Sequence, residues 1–357
     1  MAETIDDSLR AAAAGIVTEA QAASVLALHH ARAGRREGMP AEDEPFEFFR
    51  GFSEIFVSVG LVILFSGVGL LVTLLSGFGA LVTVPAVGAA LAWYMAGYFT
   101  IRRRMNLPSM VLALAFGGGV FLSVSILLNW SGASPRGVLT WAAVAGMAAM
   151  AAFYGRFRLP FAMFVTGLFG LVLTYTLTAS AQSMLNLGRA EFGGLFDLRN
   201  SPEFALATLG FGMAAFVAAM SFDLRDPHRL GRHSATAFWL HLMAAPALVN
   251  TAAMTLYNIG TTTGMIATAA ALAAITALAL VIDRRSFLTA GIAYLAALIV
   301  WAVQGDGAVS ARQWAAILIG LGAVLTAIGT WWVALRAALM RALPDFPGKR
   351  RLPPYAE

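Results

Sequence analysis

The sequence predicts an all-α protein, a polytopic transmembrane bundle of about ten helices. Hydrophobic residues make up 59% of the 357 residues and charged residues only 12%, about half the charged fraction of a typical soluble domain. Ten apolar stretches are long enough, or nearly so, to cross a hydrocarbon layer of ~30 Å. The basic residues are concentrated in every second segment that joins these stretches. Lipid is therefore the predicted solvent for most of the chain.

The ten predicted spans divide the chain into three parts. Residues 1–50 form a cytoplasmic helical hairpin and linker, residues 51–340 the bundle, and residues 341–357 a basic cytoplasmic tail. In the hairpin, Gly15 is expected to end a first helix and Thr18 to begin a second. The spans are predicted at 55–76, 80–101, 109–128, 138–154, 159–180, 203–222, 235–256, 263–282, 287–303 and 312–335.

The basic residues predict the orientation of the bundle. With a cytoplasmic N-terminus, 20 of the 24 basic residues fall in segments inside the cell and four fall outside. Inside segments of membrane proteins carry such an excess, so both termini are expected in the cytoplasm. The abundance of arginine over lysine suggests a bacterial source, and the predicted location is the bacterial inner membrane. The four outer residues are Arg136, Arg189, Arg199 and Arg312.

The composition excludes several classes of function. The chain has no cysteine, which excludes disulfides, thiolate metal sites and thiol nucleophiles. The dispersed basic residues indicate topology and give no patch for nucleic acid. Motifs of hydrolases and metalloenzymes are absent. We therefore predict no catalytic residue, no metal and no cofactor, which favours a protein that is not an enzyme.

A polar segment, DLRDPHRLGRH at 223–233, separates the sixth and seventh spans. One interpretation is a cytoplasmic gate or anion-binding mouth, and the other is a topological anchor with local ion pairs. A zinc site is disfavoured because two histidines five residues apart do not share a helical face. The candidate residues are Asp223, Arg225, Asp226, His228, Arg229, Arg232 and His233.

The seventh span carries a second candidate group, centred on His241. A histidine about 10 Å inside an apolar layer is a functional hypothesis by default. Pro246 removes an amide hydrogen from the helix, and Asn250 follows one turn later, so the two could line a solute path with His241. The alternative is a neutral histidine bonded to a neighbouring helix, with Trp239 marking the membrane interface. Recurring hydroxyls such as Ser58, Ser66 and Thr73 on the first span could line a path or join helices.

Two segments resemble a known group of proteins. GIVTEAQAASVLALH, ahead of the first span, and RDPHRLGRHSATAFWLHLMAAP resemble stretches in a family of uncharacterised bacterial multi-pass membrane proteins. In that family a Gly-Ile-(Ile/Val)-(Thr/Ser)-x-x-Gln segment precedes eight to ten spans. The resemblance implies a membrane bundle with a small N-terminal hairpin and implies no particular activity.

The sequence is compatible with three functions. The first is a transporter-like protein that moves an uncharged or amphipathic small solute. The second is a membrane-anchored assembly protein that presents its N-terminal hairpin to a protein partner. The third is a lipid-active enzyme using the 223–233 segment. The expected partners are the lipid bilayer, a small solute or a protein at the hairpin, and no nucleic acid.

Overall fold

The computed structural model describes residues 51–180, 194–226, 232–288 and 311–353, with residues 14 and 15 and scattered positions between 182 and 189 and between 291 and 296. Every regular element within these residues is a helix, which confirms the all-α class. Gly15 lies in a turn with φ of 72°, the left-handed conformation expected where a helix ends. The helices are α1 (Phe52–Ser76), α2 (Ala80–Ala96), α3 (Asn106–Trp130), α4 (Pro135–Phe157), α5 (Phe161–Thr178), α6 (Pro202–Asp223), α7 (Arg232–Tyr257), α8 (Thr262–Ile282), α9 (Ala311–Thr330) and α10 (Trp332–Ala342).

The described helices have the length and composition of membrane spans. Seven helical stretches could cross a membrane, or eight if the bent pair α9–α10 counts as one. The predicted ninth span, 287–303, lies mostly outside the described residues. The described part of the chain is therefore that of a multi-pass membrane protein.

The first of the seven stretches, Phe52–Arg102, folds back on itself. As one rod its 51 residues would extend ~76 Å, more than twice the thickness of the hydrocarbon layer. Gly77, with φ of 53°, instead ends α1 before a 3₁₀ turn. A Cβ atom on Gly69 would lie 3.5 Å from Val84, and one on Gly88 would lie 4.0 Å from Phe65. These pairs are centred on the turn, so α1 and α2 are antiparallel, as two separate predicted spans require.

Helix α7 is the central helix of the described bundle. In its most apolar window 61% of the residues are buried, against 11–33% in the other candidate spans. One face places Trp239 in a core formed by α1–α5, where its ring lies 4.7 Å from that of Phe161. Another face places Ala245 and Val249 in a second core with α8 and Trp332. Helix α7 therefore joins the two cores of the bundle.

The end of the chain differs from the prediction of one span over 312–335. Helix α9 stops at Thr330, and α10 begins at Trp332 after a bend of 69°. Side-chain bonds to the end of α8 hold α10 in this position. Trp332 Nε1 donates to Asp283 Oδ1 at 2.7 Å, and Arg336 Nε donates to the Leu280 carbonyl at 3.1 Å. Buried polar groups require such partners, so the tertiary contacts bend a sequence that is apolar enough to continue.

Candidate functional site: a buried charged network

Three ionisable side chains meet at one end of the described bundle. Asp223 is the last residue of α6, His241 lies nine residues after the start of α7, and Arg284 follows α8 by two residues. His241 and Arg284 are fully buried, and Asp223 is 4% exposed. We call these three residues the charged network.

The packing of α6 against α7 positions Asp223 and His241. The two helices run antiparallel, and at Gly212 they approach so closely that a Cβ atom would lie 2.9 Å from that of Ala247. Glycine permits this close approach of helices in a membrane. The carboxylate at the end of α6 thereby reaches His241 on α7.

The turn after α8 positions Arg284. Asp283 ends the helix in a left-handed conformation, with φ of 57° and ψ of 50°. The Arg284 amide donates to the Ala279 carbonyl at 2.9 Å, and the Asp283 amide donates to Leu280 at 3.3 Å. This is the bonding pattern of a Schellman motif, in which glycine usually holds the left-handed position. The turn directs Arg284 back between α6 and α7.

Asp223 is the centre of the hydrogen bonds in the network. His241 Nε2 lies 2.8 Å from Asp223 Oδ2. Because an ionised carboxylate only accepts hydrogen bonds, Nε2 carries a hydrogen in this pairing. Arg284 Nε donates to Oδ2 at 3.2 Å, and its Nη2 donates to Oδ1. The guanidinium thus holds the carboxylate through two parallel bonds, the strongest geometry available to this pair.

The surroundings of the network are apolar. The rings of Phe216 and Phe287 lie 5.6 and 5.9 Å from the His241 ring, both edge to face. Arg284 Nη2 also donates to the buried Ser234, at 3.1 Å to its carbonyl oxygen. Arginine keeps its proton in proteins, and a buried charge is costly unless it is paired. Asp223 therefore provides the charge balance that Arg284 requires.

Asp223 differs from the other buried acids of the described residues in its partners. Glu54 accepts from the amides of Asn106 and Leu107 at the start of α3, both at 3.1 Å. Asp197 accepts from the Arg199 amide and from the side chains of Asn200 and Asn258. Asp283 accepts from Trp332 and lies 3.8 Å from Arg336. Among these four carboxylates, Asp223 is the one bonded to a histidine, which titrates near neutral pH in its unperturbed state.

The structure separates the four residues proposed to line a path. His241 belongs to the charged network, whereas Trp239 packs on Phe161 and Phe164 of α5. Pro246 lies within a continuous α7 and is exposed, and Asn250 is half-buried. At 100° per residue, Trp239 and Asn250 lie 160–180° from His241 around the helix. These four side chains do not share one face.

The 223–233 group is also divided. Asp223 enters the network, and Asp226 Oδ2 accepts a bond from the Ser234 amide at 3.3 Å near the start of α7. Arg225 and His233 are exposed, and both lie against the ring of Phe222. The Arg225 guanidinium is 5.8 Å and the His233 ring 5.7 Å from its centroid. Arg232 is exposed. His228 and Arg229 lie outside the described residues.

Sequence reasoning missed two members of the site, Arg284 and Ser234. The sequence marked Arg284 only as a topological charge, 61 residues from its partner. The Asp223–His241 pair had a usable signal, because a histidine inside a span needs a hydrogen-bond partner and the preceding helix ends in an acid. Nothing local in the sequence indicates that Arg284 completes the pair.

The comparisons assign no relative to this chain. Protein-family models, curated proteins and solved structures all give no match. Within the described residues, no group of three or more His, Asp or Glu side chains could hold a metal ion. The charged network is therefore the feature of the described residues that indicates a function.

Proposed function

We propose that this chain is a transport protein of the bacterial inner membrane that moves a small solute, with the charged network as its proton-responsive gate. The proposal includes ten spans with both termini in the cytoplasm, and membership of the bacterial family that the two sequence segments resemble. The observation that carries it is the full burial of His241 on the central helix, bonded to a carboxylate at the end of a neighbouring helix.

The distribution of arginine supports the orientation. Helix α6 ends, α7 begins and α8 ends at the same side of an alternating bundle, where the sequence concentrates its basic residues. The network would then lie near the cytoplasmic surface, since Arg225, two residues after Asp223, is already exposed. The network would thus be occluded while lying close to the cytoplasmic side, as a gate on that side requires.

The chemistry of the network supports a switch. Its bonds join the end of α6, the interior of α7 and the turn after α8, and ionised Asp223 accepts from both His241 and Arg284. Arrival of a proton at His241 or Asp223 changes the charge of the network by one unit in apolar surroundings, where electrostatic effects are large. The relative stability of two helix arrangements can therefore follow the protonation state.

The test uses two histidines at the same end of the bundle. Cells lacking the gene are complemented with the wild type, His241→Ala or His233→Ala, and the distribution of metabolites between cells and medium is measured. The wild type and His233→Ala should restore every solute difference caused by the deletion, because His233 is exposed. His241→Ala should restore none at equal membrane abundance. Restoration by His241→Ala would refute the gate.

A second candidate function, the membrane-anchored assembly protein, is favoured by the same burial. An almost wholly buried network also fits a solid bundle that only anchors residues 1–50. These residues lie almost wholly outside the described part of the chain. Under this alternative, co-purification of a protein partner would depend on residues 1–50 and be unaffected by His241→Ala. Loss of the N-terminal segment would abolish it.

A further inference from the structure

We infer that the solute is a small carboxylate, which binds Arg284 in place of Asp223 and enters together with one proton. The inference rests on the proposed function and names its substrate class. The sequence favoured an uncharged or amphipathic solute because no carboxylate lies at the middle of a predicted span. The structure adds a buried cation, Arg284, that could bind an anionic solute.

Arg284 needs an anion beside it at all times. It is fully buried, and a guanidinium cannot release its proton under physiological conditions. An unpaired charge in this environment costs several kcal/mol. Any state of the protein in which Asp223 no longer balances Arg284 must therefore supply another negative charge.

The Asp223 carboxylate binds the Arg284 guanidinium as a carboxylate ligand would. Nε and Nη2 of the guanidinium each donate to a different carboxylate oxygen. This planar two-point geometry suits any carboxylate. Asp223 is thus an internal substitute for a solute with the same functional group.

The network contains a route for the proton. A proton taken up by His241 gives an imidazolium whose Nε2 lies 2.8 Å from Asp223 Oδ2. Transfer breaks the Nε2–H bond and forms the Oδ2–H bond, which leaves His241 and Asp223 both neutral. Asp223 then no longer balances Arg284, and the solute carboxylate takes its place. One proton and one anion have entered, so the net charge of the network is unchanged.

The side chains around His241 and Asp223 determine which charged groups can take part in proton transfer. Among the contacts of the described residues, α6 contributes Asp223 and Phe216, and α7 contributes His241 and Ser234. The turn after α8 contributes Arg284 and Phe287. Asp283 is adjacent in sequence to Arg284, but its carboxylate accepts from Trp332. Proton uptake and anion uptake are therefore coupled through a single carboxylate.

The experiment measures binding of acetate, lactate and benzoate to the purified full chain in detergent between pH 5.5 and 8. Each acid is compared with its neutral amide. If one proton accompanies each anion, the Kd of at least one acid should fall by up to about tenfold per unit decrease in pH. The amides should show no such dependence. Failure of all three acids to bind more tightly at pH 5.5 than at pH 8 would overturn the inference.

Three variants separate anion binding from a purely structural ion pair. Asp223→Asn, which needs no proton to release Arg284, should bind the anion with an affinity independent of pH. The double variant Asp223→Asn with Arg284→Gln removes both charges, so it avoids a buried unpaired ion, and it should lose anion binding. Arg285→Gln is the matched control, because the Arg285 guanidinium lies over the ring of Trp332, 5.5 Å from its centroid, and it should behave as the wild type. Equal pH-dependent binding by the double variant and the wild type would show that the anion binds elsewhere.

The outcomes for the two proposals are distinguishable. Transport that depends on His241, with no carboxylate binding, would overturn the substrate class and retain the gate. Carboxylate binding at Arg284 without any His241-dependent solute distribution would retain the binding site and overturn the transport function.

Discussion

Removal of one charge from the Asp223–Arg284 pair should destabilise the protein far more than removal of both. Asp223→Asn leaves a buried guanidinium without its counter-ion, and Arg284→Gln leaves a carboxylate that is 4% exposed without its strongest donor. Breaking a buried ion pair from one side costs about 3–5 kcal/mol. Neutralising both sides removes the desolvated charges together, and the Asn and Gln side chains can still form a hydrogen bond. The double variant should therefore lose much less than the sum of the single losses.

The assay is unfolding of the purified variants in a mild detergent, followed by circular dichroism as denaturant is added. The double-mutant cycle should give a coupling energy of about 3 kcal/mol, at the upper end of what contacting residues show. Asp223→Asn combined with Arg285→Gln provides the control cycle, and its two losses should add. If the losses of Asp223→Asn and Arg284→Gln also add, the two side chains do not interact, and the reasoning about the charged network is refuted.

Three further predictions concern the scaffold. Glu54→Ala should lower the free energy of unfolding by about 2 kcal/mol, because two amides at the start of α3 lose a charged acceptor. Glu54→Gln keeps an acceptor oxygen and should lower it less. Denaturant unfolding of the two purified variants in detergent measures both losses. Gly119→Ala should destabilise the bundle, because its Cβ would lie 2.5 Å from the Pro85 carbonyl oxygen. Gly118→Ala should not, because a Cβ atom there would have open space around it. The thermal unfolding temperatures of the two variants measure the difference. Reporter fusions after Arg104 and Arg285 should both be cytoplasmic, and a fusion after Asn200 should be external; opposite locations for the first two would refute the ten-span topology.

The helices themselves were largely predictable, because each one depends on a local property. A run of about 20 apolar residues specifies a span whatever the rest of the chain does. The ends of α6 and α8 accordingly lie within one residue of the predicted ends, at Asp223 and Ile282. The break at α10 was missed because its cause, the bonds from Trp332 and Arg336 to the end of α8, is not local.

The roles of polar side chains were less predictable than the positions of the helices. The hydroxyls of Ser58, Ser66 and Thr73 were expected to line a path or to join helices. Each donates to the carbonyl of the residue four positions earlier in α1, at 2.7 to 2.9 Å. A short hydroxyl side chain can donate its hydrogen bond to a carbonyl of its own helix. A regular spacing of hydroxyls therefore does not by itself indicate a solute path.

The charged network was likewise only partly predictable from the sequence. The sequence drew attention to both Asp223 and His241, yet assigned them to different groups, and it assigned Arg284 to topology alone. Helical periodicity predicts which residues share a face of one helix, but it does not specify which helices are neighbours. The pairing of residues 18 and 61 positions apart depends on how α6, α7 and the turn after α8 pack together.

The sequence by itself determined that this chain forms apolar helices suited to a bilayer. The reason is that this property depends only on the hydrophobicity of about 20 consecutive residues. Only the tertiary structure decided that a histidine, an aspartate and an arginine from three parts of the chain form one buried network. The physical reason is that a buried charge is tolerated only beside its partner. The close packing of α6 against α7 at Gly212 and the turn after α8 bring the three side chains within hydrogen-bond distance.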